Sequence, residues 1–471
     1  MKRSRTCVVW LTILVLALSC KPENPQNAPT TSADTDKSVV LRVWQTETDK
    51  DALKVLDRVR SEFEKRHPGV TVQIESVAWS SLSAKLAAAL ASNNPPDVAH
   101  LEPFMVASVY SRNLLLPIGD VIDAIEKDNG DTIFPTLRDL QHINGQYYGI
   151  AYAVGTTGFA YRKDVAQRLG LTVPTTWSGY VAFVNKMARD GGPEMKLLLP
   201  GGDQFFIDQL TAELLANNDG RLFDPQTNRP ELDKEPFIET LQLFRDLTPA
   251  LDKGWLTQKY LDQFNRLGHG EAGNVPVCYA RATRAIAAAK TLPARPDVFG
   301  WMPQPRGPRS RKPAIATMDC EPFVIFKAAA ARSAGDKLTN ADLGKEFLRL
   351  FYAKRNYLDF VKTVPIHLTP IFQGMAASPE YTSTPALADW KPWHEQTVMF
   401  LQHPEQTRPI LMPDVSPAGK ALPYLLEFQS RRILTQAVVD VVGGTLSPHD
   451  AAIKAQRSAE QVVESTGNKG W

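Results

Sequence analysis

From Val39 to Leu101 the apolar residues switch repeatedly between the period of a strand and the period of a helix, and few architectures accept that pattern. Val39-Val40-Leu41-Arg42-Val43-Trp44 is a short run of strand composition. Thr48 or Asp49 can cap the helix that follows, in which Ala52, Leu56, Val59 and Phe63 recur at helical spacing before His67-Pro68-Gly69 ends it. Val70, Val72 and Ile74 then alternate with polar residues as in a strand. Leu82, Leu86 and Leu90 stripe a second helix closed by Asn93-Asn94-Pro95-Pro96, and Asp97–Leu101 reads as a third strand. Such a βαβαβ unit, joined by right-handed crossovers, predicts a parallel sheet.

The same grammar resumes after Tyr152. Helical patterns cover Lys163–Leu169, Ser178–Arg189, Gln204–Asn217, Glu235–Leu251 and Arg281–Lys290. Strand-like runs cover Lys196–Leu199, Val275–Cys278, Val298–Trp301 and Pro322–Phe326, with Gly201-Gly202 as a turn. The C-terminal stretch is mostly helical, notably Leu422–Val442 and Pro448–Glu464, and the basic Pro303–Pro313 run reads as a solvated connection. A chain of 471 residues is too long for one ordinary core. Two α/β lobes followed by a helical C-terminus is the expected architecture. The formal net charge of +2 offers no basic field for nucleic acid.

Much of that small charge sits in the first residues. Lys2, Arg3 and Arg5 precede the apolar stretch Val8–Leu18. As a helix it would span roughly 16 Å, short of the ~20 apolar residues that cross a bilayer. Basic and short apolar regions in that order are the parts of a secretory signal. Leu16-Ala17-Leu18-Ser19-Cys20 resembles a bacterial lipobox, which implies that residues 1–19 are removed and that Cys20 carries lipid. Lys21–Lys37 lacks large apolar side chains and contains Pro22, Pro25 and Pro29, so residues 20–37 read as a lipidated cysteine and a disordered tether. The expectation is an extracytoplasmic lipoprotein, in the periplasm or at the outer cell surface, attached to a membrane through its lipid only. Cys7 leaves with the leader. Cys278 and Cys320 remain, and either a bridge or two buried small hydrophobic side chains suits an oxidising compartment.

Five segments, in order, resemble the extracellular solute-binding proteins of ATP-driven sugar importers, the group related to maltose-binding protein. They are RHPGVTVQIESVAW, LSAKLAAALASNNPPDVAHLE, INGQYYGIAYAVGTTGFAYRKD, VPTTWSGYVAFVNKMARDG and LTQAVVDVVGGTLSPHDAAIKAQRSAEQVV, and together they span most of residues 39–466. The family commonly has Gly-Gly where this chain has Thr317-Met318-Asp319-Cys320. The resemblance implies the two-lobed periplasmic-binding-protein fold (type II), with discontinuous lobes joined by a hinge. The N-lobe would be 38–151 plus 318–364 and the C-lobe 153–310 plus 366–466, with crossings near Ala151–Ala153, Pro313–Thr317 and Val364–His367. A monomer that captures a carbohydrate and delivers it to permease subunits is the implied function. Another small solute (a glycerol phosphodiester, a polyol or a peptide) is the alternative, and a glycoside-active enzyme a more distant one.

Ligands of open parallel sheets sit beyond the carboxyl ends of the strands. Applied to both lobes, that rule selects Gln45, Glu47 and Thr48, then Trp79, Glu102 and Tyr152 at the hinge. The second lobe contributes Asp203, Gln204, Tyr279 and Trp301, the returning segment Asp319, and Trp255 in a loop that could cap the cleft. Rings offer flat faces to the C–H surface of a pyranose, while carboxylates and carboxamides match its hydroxyls. Trp44 and Trp177 are assigned to packing, Trp390 and Trp393 to exposed packing, and Arg281 and Arg284 to a solvated face. No catalytic residue, metal or cofactor is expected. There is no G-x-S-x-G or P-loop, and His394-Glu395 lacks the second histidine of a zinc-protease helix because position 398 is Val.

Overall fold

The structure, a computed structural model, describes residues 39–467 except 139, 141, 225, 226, 228, 280, 281, 293–296, 312–315, 333–337, 389, 404–406 and 410–423. The leader, Cys20 and the tether therefore lie outside the described residues, as does Arg281. Among the described residues no helix is long and apolar enough to cross a membrane.

The strands are β1 Val39–Gln45, β2 Val70–Ser76, β3 Val98–His100, β4 His142–Ile143, β5 Gln146–Tyr147 and β6 Ile150–Ala151 in the first part of the chain. Then come β7 Gly155–Arg162, β8 Asn274–Tyr279, β9 Phe299–Met302, β10 Ala316–Asp319, β11 Pro322–Ile325 and β12 Thr407–Pro409. One sheet has the order β2-β1-β3-β11-β6 and a second β12-β10-β7-β8, with β9 also on β7. The predicted βαβαβ unit is present: β1 pairs parallel with β2 from Val39↔Val70 to Gln45↔Ser76, and with β3. Its first helix, Lys50–Arg66, is capped by Asp49, whose carboxylate accepts from the amides of Asp51 and Ala52. Ala52, Leu56, Val59 and Phe63 are buried, as their spacing requires.

Elsewhere the pairing is antiparallel except that β10 and β12 run parallel. β11 pairs antiparallel with β3 and β6, and β7 antiparallel with β8, β9 and β10. Lys196–Leu199 is not a strand, because Leu197 makes only single bridges, to Leu251 and Asn274. The helix expected over Leu422–Val442 is broken: Leu425–Ser430 and Ile433–Val442 are separated at Arg432, whose φ of +57° lies outside the right-handed helix. The described part of the Pro303–Pro313 run is solvated at Pro308, Arg309 and Arg311, as expected, but it is also pinned. Buried Gln304 bonds Glu213 and accepts from Asn217 Nδ2 at 2.9 Å, and Arg309 pairs with Glu239 at 2.8 Å.

The chain passes between the sheets at three places, and these determine where a cleft can open. The first is Tyr152–Val154, between β6 and β7. The second is Cys320-Glu321, between β10 and β11, a few residues beyond the expected Pro313–Thr317, because β10 still pairs with β7 through Asp319↔Gly155. The third runs through Ile366–Thr369, where Val154 and Thr369 exchange both backbone hydrogen bonds at 3.0 Å. Ile366 has φ +73°, a strained value for a β-branched residue. The Tyr381 hydroxyl holds it there, accepting from the Ile366 amide at 3.0 Å and donating to the Leu368 carbonyl at 3.1 Å.

Candidate functional site

A cavity of about 1080 Å³ opens between the two sheets. From the first sheet it is lined by Thr46, Glu47 and Thr48 after β1, by Trp79 and the small residues Ser83, Ala84 and Ala87 of the helix Trp79–Ala91, and by Glu102 after β3. From the second it is lined by Gly202–Phe206 and Asp208, by Lys259–Leu261, and by Glu427 to Arg432. Tyr152, Glu321 and His367, one from each crossing, also line it.

The first-sheet wall is built on buried polar groups. Gln45 is only 3% exposed and does not reach the cavity lining. Its amide bonds Ser76 and donates to the Glu47 carbonyl at 3.0 Å, so it shapes the turn that presents Glu47. Glu47 Oε1 accepts from the amides of Thr48 and Asp49, both at 2.8 Å, at the start of the helix Lys50–Arg66 where negative charge is favoured. Beneath the cleft, His100 Nδ1 lies 2.6 Å from Thr46 Oγ1, and its ring meets those of Tyr152 at 4.0 Å and Trp79 at 5.6 Å. Burial drives His100 down to about 3, against the opposing pull of the Glu47 charge, so the ring is neutral and the shelf it forms carries no charge. Glu102 is pushed well above the usual carboxyl range, by burial first and then by the neighbouring Glu321 charge.

The second-sheet wall rests on two glycines. A Cβ at Gly201 would run into the Trp255 ring at 2.6 Å, and one at Gly202 into the Thr257 carbonyl at 2.8 Å, so only glycine lets these loops lie together. Trp255 is thereby buried behind Gly201 and does not cap the cleft. The loop it supports presents Asp203, which accepts from the Tyr260 amide at 2.7 Å and pairs with Lys259 at 3.5 Å. Phe206 and Tyr260 stack at 3.8 Å with an interplanar angle of 10°, giving this wall its own aromatic surface. Gln204 Oε1 has no hydrogen-bond partner among the described residues, an acceptor left for a guest.

Of the residues picked from sequence, Glu47, Thr48, Trp79, Glu102, Tyr152, Asp203 and Gln204 line the cavity. Trp301 does not: it lies on β9 with its ring over Gly158 and 6.1 Å from that of Trp393. Tyr279 and Asp319 belong to β8 and β10, and their side chains lie outside the described residues. Trp390 and Trp393 are buried, not exposed, while Trp44 and Trp177 pack in the core as expected. Arg284 is exposed, as expected, but it is not without partners. It pairs with Asp49, and with Asp51 at 3.7 Å, and donates to the Thr363 carbonyl at 2.9 Å. Cys320 is buried and its Sγ donates to the Met318 carbonyl, while the side chain of Cys278 lies outside the described residues. Sequence reasoning missed Glu321, His367, Phe206, Tyr260 and Arg112. The first two stand on crossings; His367 falls within the expected crossing Val364–His367, whereas Glu321 lies beyond the expected Pro313–Thr317. Among the described residues no group of three or more His, Cys, Asp or Glu is placed to hold a metal ion.

The sequence matches the family described as bacterial extracellular solute-binding protein over residues 59–389. The chain belongs to that family. Relatives of this solute-binding protein include the arabinooligosaccharide-binding protein of Bacillus subtilis strain 168, 24% identical over 221 residues, covering 44% of this chain and 48% of the relative. The lactose-binding protein of Rhizobium radiobacter is 25% identical over 250 residues, covering 47% of this chain and 58% of the relative. The chain thus spans about half the length of the curated relatives it matches. Among solved structures, a maltose-bound binding protein of T. maritima superposes with a TM-score of 0.70 at 18% identity, covering 90% of this chain and 100% of the other. The fold is therefore that of the two-lobed, maltose-binding-like periplasmic proteins, and the family is one of extracellular binding proteins.

Buried Asp208, at the edge of the cleft, makes the stability of this solute-binding protein depend on pH. Its Oδ1 accepts from both the amide and the hydroxyl of Thr435 at 2.7 Å, yet burial outweighs these bonds and the nearby Arg432 and raises the carboxyl to about 7. Unfolded, the group ionises near the ordinary aspartate value of 3.8, so between there and pH 7 the folded form holds the extra proton and stability falls as pH rises. Asp208→Asn should remove that slope, which reaches at most about 1.4 kcal/mol per pH unit. Urea melts of both proteins at pH 5 and pH 8 check this; equal slopes would contradict it.

Proposed function

We propose that this chain captures a carbohydrate in the cleft between its two sheets and hands it, chemically unchanged, to the permease of an ATP-driven importer. It acts as a monomer, tethered through residues 21–37 to a lipid on Cys20. The lobes take the boundaries 38–151 plus 318–364 and 153–310 plus 366–466, with β10 the strand that the returning segment shares with the C-lobe sheet. The observation that carries this reading is the composition of the cavity wall, which the rings of Trp79, Tyr152, Phe206 and Tyr260 share with Glu47, Glu102, Asp203 and Gln204. Flat apolar faces flanked by hydrogen-bonding edges suit a pyranose, and each unmatched buried group costs about 1–3 kcal/mol, which rejects guests lacking the right hydroxyls. Relatives named for arabinooligosaccharide and lactose binding support the same class of guest. A phosphodiester is less well served, because Arg284 is already engaged by Asp49 and Asp51.

A panel of mono- and oligosaccharides should raise the melting temperature of the soluble body, since a ligand that binds only the folded state stabilises it. Trp79→Ala should weaken binding of the best saccharide by about ten- to a hundred-fold, the loss typical of a central aromatic contact, with the unliganded melting temperature little changed. Unaltered affinity in that variant would remove the cleft assignment, and release of chromophore from a glycoside would turn the reading towards an enzyme.

A further inference from the structure

The charge pattern within the cleft narrows the guest further, on the premise that the guest is a saccharide. Glu102 occupies the cap position of the helix Pro103–Ser111, where a carboxylate ordinarily turns to the helix amides, but it makes no such bond. It is 4% exposed and lines the cavity, and its carboxyl has no hydrogen bond to any described residue. Glu321 and Glu47 line the same end, each also buried. Among the described residues, the arginines and lysines that line the cleft are Arg112, Lys259 and Arg432. Arg112 stands at the far end of the Glu102 helix, its backbone about 15 Å away at helical rise. Lys259 is held by the Gly202 carbonyl at 2.8 Å and by Asp203, and Arg432 lies near Asp208 on the other wall. A buried carboxyl beside a second one, with no cation among the described residues paired to its own side chain, suits a positive charge that arrives with the ligand.

We propose that the guest is an amino saccharide whose protonated amine docks on the Glu102 carboxylate, with Glu321 beside it. Any proton Glu102 carries in the empty protein leaves to solvent as the ammonium enters, so binding of the amine releases protons and binding of a neutral sugar does not. The test is titration calorimetry with matched pairs: glucosamine against glucose, and the β-1,4-linked glucosamine disaccharide against cellobiose and against its N-acetylated form. Each amine should bind about ten- to a hundred-fold tighter than its neutral counterpart, the range of a charge-assisted hydrogen bond. Its apparent heat should vary with the ionisation enthalpy of the buffer. Glu102→Gln should bring the ratio of amine to neutral affinity close to one, and that ratio is the readout, since Glu102 also faces the neutral sugars. If that variant melts well below the parent, Glu321→Gln gives the same reading. Neutral sugars binding as tightly as their amines overturns this inference and leaves the saccharide reading standing, whereas a panel in which no sugar of either kind binds overturns both.

Discussion

Trp301→Ala should cost the folded protein about 3 kcal/mol and leave the saccharide affinity of the molecules that remain folded within about two-fold. The ring is half-buried on β9, in register with Ala160 of β7. It lies so close to Gly158 that any Cβ there would collide with it and with the Met302 carbonyl. On its other side is Trp393, itself 7% exposed and in a ring contact of 5.1 Å with Trp390. Truncation therefore removes the cover of a bare glycine and one face of a tryptophan cluster, a void the rigid strand cannot close. The cleft lies elsewhere, so affinity has no reason to change. A chemical melt of the variant, paired with calorimetry on the folded fraction, separates the two effects. Lost affinity with unchanged stability would return Trp301 to the cleft.

The contrast between Trp301 and Trp79 shows what was legible in the sequence. Local periodicity carried the first βαβαβ unit almost residue for residue, because each of its elements buries one face and the spacing of apolar residues records which. The strand-end rule then found Glu47, Thr48, Glu102 and Trp79, since a residue directly after a parallel strand has little choice of direction. Trp255 and Trp301 obeyed a different logic. Their rings are received by Gly201 and Gly158, partners that are remote in sequence and that no periodicity marks. The second sheet was harder for a related reason. Its strands pair antiparallel around β7 across long loops, so neither register nor handedness follows from neighbouring residues. Glu321 and His367 became cleft residues only once the path of the chain between the sheets was known.

The first sheet also depends on a charge that no cleft uses, and Asp97→Ala should destabilise it by about 3–5 kcal/mol. Asp97 immediately precedes β3 and is fully buried. Its Oδ2 accepts from the Arg42 amide at 2.8 Å and from Asn340 Nδ2 at 3.0 Å, and its Oδ1 pairs with the Arg332 guanidinium. Its backbone exchanges with Arg42 and Phe326, so one residue ties together β1, β3, the end of β11 and the helix Asn340–Tyr352. Removing the carboxylate leaves the Arg332 guanidinium without its counter-charge, though still bonded to the Pro95 carbonyl, and strips an acceptor from the Arg42 amide and from Asn340 Nδ2; unmatched groups cost more than the intact pair contributes. Asp97→Asn keeps the shape and an acceptor oxygen while losing only the charge, so its cost should be clearly smaller. Urea melts of the two variants, followed by far-ultraviolet circular dichroism, decide the point. Equal losses would mean that packing rather than charge holds the junction. No loss in Asp97→Ala would mean that the returning segment reaches the first sheet without it, with β11 held by its strand hydrogen bonds and by packing such as Phe323 against Phe351, His100 and Tyr152.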